Sequence, residues 1–239
     1  TQLQTMLQQQ IADFGTNIFK EGSLVIPGQS TYDNEYRYVK LDSTYSTPDL
    51  AALVGQEMTG GTSGVVAKVV NYAEATDTDP QTLFVKYITS GSDYLTTSFA
   101  NNEIITNGAA TVTARTAASA ATGTCSAFSV SGGVIFTKGS FVHFDKETLV
   151  IDKYSVPQNK IVGFKVTEAV ITSDDDVSLL DPALGSSNYL APGADRYSIT
   201  LALEARAFTP TVSDDNNFVE LIRIENGKVI SFVQDPQYN

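Results

Sequence analysis

The chain has little of what most catalytic and metal-binding chemistry needs. Among 239 residues there is one cysteine and one histidine, and 15 Lys and Arg stand against 27 Asp and Glu for a formal net charge of −12. A lone Cys125 excludes an intrachain disulfide, and its Ser/Thr/Ala-rich surroundings predict a small half-buried residue rather than a reactive thiol. A lone His143, between Val142 and Phe144 in a predicted strand, leaves a multi-histidine metal site or a histidine-dependent triad without its other members. With one Cys and one His, structural zinc would need ligands from several chains. Clustered Lys and Arg are missing, so DNA and RNA are not expected partners, and the diffuse acidity disfavours anionic membranes. No run approaches the ~18 apolar residues of a spanning helix. The glycine-rich stretch Gly60 to Gly64 is not followed by Lys-Ser or Lys-Thr and reads as tight turns, and no dinucleotide-binding fingerprint occurs. Asp174-Asp175-Asp176 lacks the alternating oxygens and central glycine of a calcium loop and reads as a loop start or helix cap. A carboxylate pair for glycoside cleavage has no sequence signature, and nothing singles one out among so many acids. No cofactor, metal or catalytic activity is expected.

What the chain does have is strand formers and punctuation: 11 Tyr and 12 Phe with 17 Gly and 8 Pro, alongside many Val, Ile and Thr. That composition predicts a mainly β fold with many turns. One amphipathic helix opens it, with Leu3, Met6, Leu7, Ile11 and Phe14 on one face, Gln on the other and Gly15 as its stop. A helix of roughly 14 residues is marginal alone in water, so its own domain or a neighbouring subunit must cover that stripe. The chain begins at Thr1 inside this pattern without an initiator Met, which predicts a piece of a longer polypeptide.

Leu24 to Ile26 and the Tyr-rich run through Tyr36 and Tyr38 read as two early strands, and Pro48 to Gly55 as a helical turn or two. From Gly55 to about Arg115 short β-branched runs alternate with Gly, Asn, Thr and Asp turns. The expected architecture is an antiparallel, discontinuous main β domain over about 1–54 and 117–239, with a small β-subdomain inserted at about 55–116. Glu57 to Gly61 and Glu103 to Gly108 resemble each other loosely. Thr116 to Ser129 predicts an extended return, and Gly133 to Asp152 a three-stranded meander turning at Lys138-Gly139 and Asp145-Lys146-Glu147. Lys160 to Thr172 is a long strand, Tyr197 to Phe208 another, and Asn226-Gly227 marks a closing hairpin. Between the two long strands, Asp174 to Arg196 is longer than a connection needs and predicts an ordered Ω-type segment or an interaction loop.

The opening LQTMLQQQIADFGTNIFKEGSLVIPG and the later SDDDVSLLDPALGSSNYLAPGADRYSITLALEAR together resemble a family of tailed-bacteriophage virion proteins. It occurs at the start of baseplate- or tail-fibre-associated polypeptides and is catalogued as a domain of unknown function. The elements that carry the resemblance are Leu3 to Phe14, Phe19 to Gly22, Asp174 to Asp181, Gly185, Asn188 and Ala191 to Arg196. It implies a structural protein of the virion tail, made in the bacterial cytoplasm, that connects baseplate or fibre components without catalysis. Its partners would be other tail proteins and further copies of itself, a homotrimer by analogy with fibres. The candidate interface residues are Leu3, Leu7, Ile11 and Phe14 on the helix, Asp174, Asp175 and Asp176 at the loop start, and Asp195 and Arg196 at its end. These last two either pair internally or meet a neighbour. The alternative function is recognition of host-surface glycan, for which Tyr87, Tyr94 and Phe99 would supply an exposed aromatic platform; otherwise they are core aromatics.

Overall fold

A computed structural model describes residues 2–45, 49–109, 112–155, 159–208, 217–233 and 235–238; within the first helix it describes the side chains of Met6, Gln9, Gln10 and those from Ala12 on. The chain is mainly β and antiparallel, with a helix at its start. It divides into two compact units. Unit 1 holds Thr1–Thr31, Ser129–Leu149 and Gln158–Asn239, and unit 2 holds Tyr32–Phe128 and Val150–Pro157.

Unit 1 opens with helix α1 (Gln2–Ile18), which runs through Gly15 rather than stopping there. The reason is packing: a Cβ at Gly15 would collide with the Phe136 ring, so glycine lets the helix backbone lie against that strand. After the helix, β1 (Ser23–Ile26) pairs with β9 (Gly133–Thr137), and β9 with β10 (Ser140–Phe144), as a three-stranded sheet. The β9–β10 turn has Lys138 and Gly139 both at positive φ, 51° and 68°, the two-residue geometry whose twist matches a hairpin. Phe19 packs against Phe136, Phe141 and Tyr238, gathering both ends of the chain at this sheet.

A second sheet of unit 1 has the order β13-β12-β14-β15, from β12 (Asn159–Ile171), β13 (Arg196–Ala207), β14 (Phe218–Glu225) and β15 (Lys228–Phe232). Its closing hairpin turns at Asn226 and Gly227, again both at positive φ. Phe144 meets Phe164 at 4.7 Å between ring centroids, joining the core sides of the two sheets. At Gly163 the β12–β14 register shifts, and a Cβ there would run into the Val219 carbonyl, a backbone atom that cannot swing aside. Gly163→Ala is therefore expected to destabilise the chain by about 2–3 kcal/mol in urea denaturation.

Unit 2 centres on an eight-stranded sheet of order β11-β8-β2-β5-β4-β3-β6-β7. Its strands are β2 (Ser30–Lys40), β3 (Glu57–Gly60), β4 (Val66–Ala73), β5 (Thr82–Thr89), β6 (Ile104–Asn107), β7 (Thr113–Arg115), β8 (Thr122–Val130) and β11 (Glu147–Asp152). The short helix α2 (Leu50–Leu53), capped by the Asp49 side chain, drops Leu50 and Leu53 into a core with Val39, Met58, Val69, Leu83 and Phe99. Tyr38, Phe84 and Cys125 form a second cluster. The two loosely similar segments meet here, since β3 pairs with β6 through Met58↔Asn107 and Gly60↔Ile105.

Beside the 55–116 stretch, unit 2 takes in β2, which pairs with β5; Tyr38 and Val39 of β2, and Leu41 just after it, fill that unit's cores. One expectation is corrected. The run through Asp152 is not a three-stranded meander: β9 takes β1 as its second neighbour, and β11 joins β8 in the other sheet. Hydrophobic alternation marks a strand without naming its partner.

Candidate interaction surface

β12 and β13 keep one antiparallel register without a bulge from Lys160↔Ala207 to Ile171↔Arg196. Among the described residues β14 pairs with β12 from Asn159 to Lys165, Val166 N–H still donates to Asn217 at 2.8 Å, and past that point β12 and β13 continue paired with each other. Alternation on a narrow ribbon leaves little buried, and Val170 and Tyr197 are 59% and 56% exposed. Glu168 ties the ribbon to the β9–β10 turn: it accepts from Lys138 Nζ at 3.0 Å and from the Tyr197 hydroxyl. The Tyr197 hydrogen bond first, and Lys138 second, hold its carboxyl below the usual range. Sequence reading missed this contact, whose residues lie far apart in the chain.

The 172–195 segment closes the ribbon as an ordered loop. Thr172 donates to the Asp175 carboxylate from its N–H at 3.0 Å and its hydroxyl at 2.9 Å. Asp176 caps a 3-10 turn at Val177–Leu179 by accepting from Ser178 N–H at 2.9 Å. Further on, Gly193 N–H donates to Leu179 at 2.8 Å and Leu190 N–H to Asp181 at 3.1 Å, with Leu180 bridging Pro192. Arg196 pairs with Asp176 at 3.1 Å, while Asp174 and Asp195 are exposed. The expected pairing of Arg196 thus closes inside the chain, on Asp176 rather than Asp195. Among the described residues no group of three His, Cys, Asp or Glu is placed to hold a metal.

The hydrogen bonds from Thr172 lower the Asp175 carboxyl, and those from Ser178, then Arg196, lower Asp176. Groups with depressed folded values stabilise the loop above the ordinary 3.8 of an aspartate, and that contribution is lost as pH falls through the lower folded value. Carboxyl-carbon NMR titration is expected to give midpoints below 3.8 for both residues; midpoints at or above it would contradict the assigned hydrogen bonds.

This ordered loop presents apolar side chains to solvent. Val177 and Leu184 are 76% and 82% exposed, and Tyr189 and Leu190 of the same loop are exposed as well. Leu190 also holds φ 63°, a left-handed backbone that a leucine adopts only against its local preference. Four large apolar side chains exposed on one loop that is held by its own hydrogen bonds make it a candidate contact surface.

On α1, Phe14 is 69% exposed and Met6, two turns before it, is exposed too, while the side chains of Leu3, Leu7 and Ile11 lie outside the described residues. The three candidate glycan-binding aromatics form no shared exposed face. Phe99 is buried in the core with Tyr87 edge-on to it at 5.5 Å, and Tyr94 is exposed at φ 57° beside exposed Leu95. Cys125 is buried, donates to the Tyr36 carbonyl, and its thiol is pushed up to about 12 by burial, with Asp33 and Asp152 adding to it. A thiol so held is protonated and a poor nucleophile. Among the described residues no helix is long and apolar enough to cross a membrane.

Compared with known proteins, residues 78–239 match a domain of unknown function, DUF4815, a stretch that contains the whole ribbon and its loop. No curated protein and no solved structure matches the chain.

Proposed function

We propose that this chain, which belongs to the DUF4815 family of domains of unknown function, is a structural protein of a bacteriophage tail, connecting baseplate or fibre components through protein–protein interfaces. The observation that carries the reading is the β12–β13 ribbon, whose loop displays Val177, Leu184 and Leu190 on a backbone already ordered by its own hydrogen bonds. A preordered apolar loop docks without a further ordering cost, which suits a permanent joint. The exposed Phe14 and Met6 of α1 offer a second contact of the same kind. The phage assignment rests on the sequence resemblance, and repetition of the chain by tail symmetry follows from it.

The test is the composition of purified virions combined with site-directed cross-linking. The chain is expected in the tail fraction, and a Leu184→Cys variant is expected to cross-link to a different tail polypeptide. Absence from tails, or cross-linking only between copies of this chain, would overturn the connector reading.

A further inference from the structure

Inside unit 2 the eight-stranded sheet forks. β2 and β5 pair from Lys40↔Thr82 to Arg37↔Val85, and there the pairing stops, although β2 reaches back to Ser30 and β5 on to Thr89. Each remains a strand through its other side: β2 lies next to β8, and β5 pairs with β4 as far as Val66↔Thr89. At the fork lies a groove of about 730 Å³, bordered by Glu35, Tyr36 and Arg37 on one strand and by Val85, Lys86 and Tyr87 on the other.

The alternation of antiparallel hydrogen bonds fixes which peptide groups face this opening. Leu41 donates its N–H to Gln81 on the β5 side, so every second residue back along β2, through Arg37 to Glu35, points the same way. On the opposite wall, Val69 gives its N–H to Gln56 and so turns away from Val85, its neighbour across the ladder. Val85 therefore faces β2, and so does Tyr87 two residues on. Arg37 and Val85 serve each other; among the described residues Glu35 and Tyr87 have no partner in the β2–β5 ladder. The Glu35 N–H is covered by the Asp33 carboxylate at 2.8 Å. The Glu35 carbonyl and both peptide groups of Tyr87 are left directed into the groove.

We propose that this fork accepts an extended peptide segment as an added short strand, with a basic side chain of that segment against Asp33 and Glu35. An extended backbone offers donors and acceptors at the strand repeat, which matches the spacing along β2 and β5; a sugar ring does not repeat at that period. Residues 33, 35 and 37 lie on one face of β2 and all three are exposed; Arg37 stands at the closed end of the fork, paired with Val85, and the two carboxylates beyond it set the charge of the side chain that lies against them. The inference is independent of the tail assignment, since it concerns the edge chemistry of unit 2 alone.

The test uses the full chain, isotopically labelled, with the peptide acetyl-Thr-Val-Lys-Val-Thr-Val-Thr-amide as probe. Saturable shifts are expected at the Glu35, Arg37 and Tyr87 amides. The same peptide N-methylated at alternate residues is expected to bind at least about tenfold more weakly, because its ladder donors are gone. The paired substitution Asp33→Asn with Glu35→Gln is expected to weaken binding about fivefold. Three results would each overturn the proposal: no saturable shift at about 1 mM peptide, equal binding of the N-methylated form, or the same amides shifting with a neutral glucose oligosaccharide instead.

Discussion

Glu103→Ala is expected to destabilise unit 2 by about 4 kcal/mol. Glu103 is 2% exposed, and its carboxylate serves two loops at once. One oxygen accepts the N–H groups of Thr62 and Ser63 in the turn between β3 and β4, and the other accepts Ala100 N–H at 2.7 Å. Its own N–H donates to the Thr116 hydroxyl, which in turn donates to the Ala100 carbonyl. Alanine would leave three part-buried backbone donors without their acceptor, at about 1–3 kcal/mol each, least for the exposed Thr62. Glu103→Gln keeps the oxygen facing Thr62 and Ser63 but opposes an amide to Ala100 N–H, so roughly half the loss is expected. Urea denaturation checks both, and a loss under about 1 kcal/mol for alanine would show that water replaces the carboxylate freely. In thermal melts the alanine variant should fall by roughly 8–16 °C for a chain of this size.

The combined variant Val177→Ser, Leu184→Ser and Leu190→Ser is expected to fold normally and fail to join the particle. Exposed substitutions away from the core usually shift stability by less than about 0.5 kcal/mol each. In a docked interface, each lost apolar anchor costs about 1–2 kcal/mol, so three together remove about 4 kcal/mol, close to a thousandfold in affinity. Incorporation into tails, measured by quantitative mass spectrometry of purified particles against wild type, should drop at least tenfold. Unchanged incorporation would mean that the ribbon loop is not the joint.

Local chemistry was readable from the residues, and distant pairing was not. Asn226-Gly227 names its hairpin because Asn and Gly take two positive φ values cheaply, and Gly139 marks the turn at Lys138-Gly139. Strand periodicity likewise marked Lys160 to Thr172 and Tyr197 to Phe208, and length alone marked the loop between them. Alternation cannot say that β2 pairs with β5, or that β11 leaves β10 for β8, because those contacts cross long stretches of chain. Gly15 read as a helix stop because its role, admitting the Phe136 ring, depends on a residue 121 positions away. Glu103 carried no signal beyond being an acid after two asparagines, and the Thr62-Ser63 turn it satisfies lies on another strand connection. At the candidate surface, Asp176 as a cap was legible from the acidic run, whereas its pairing with Arg196 required the β12–β13 register.

The most direct measurement is cryo-electron microscopy of the intact particle that carries this chain, with the chain placed in the tail density. The account predicts that it sits at a baseplate or fibre junction with the 172–195 loop buried against a different polypeptide. A chain whose ribbon loop points free into solvent at a tail tip, or one missing from the particle, would contradict it.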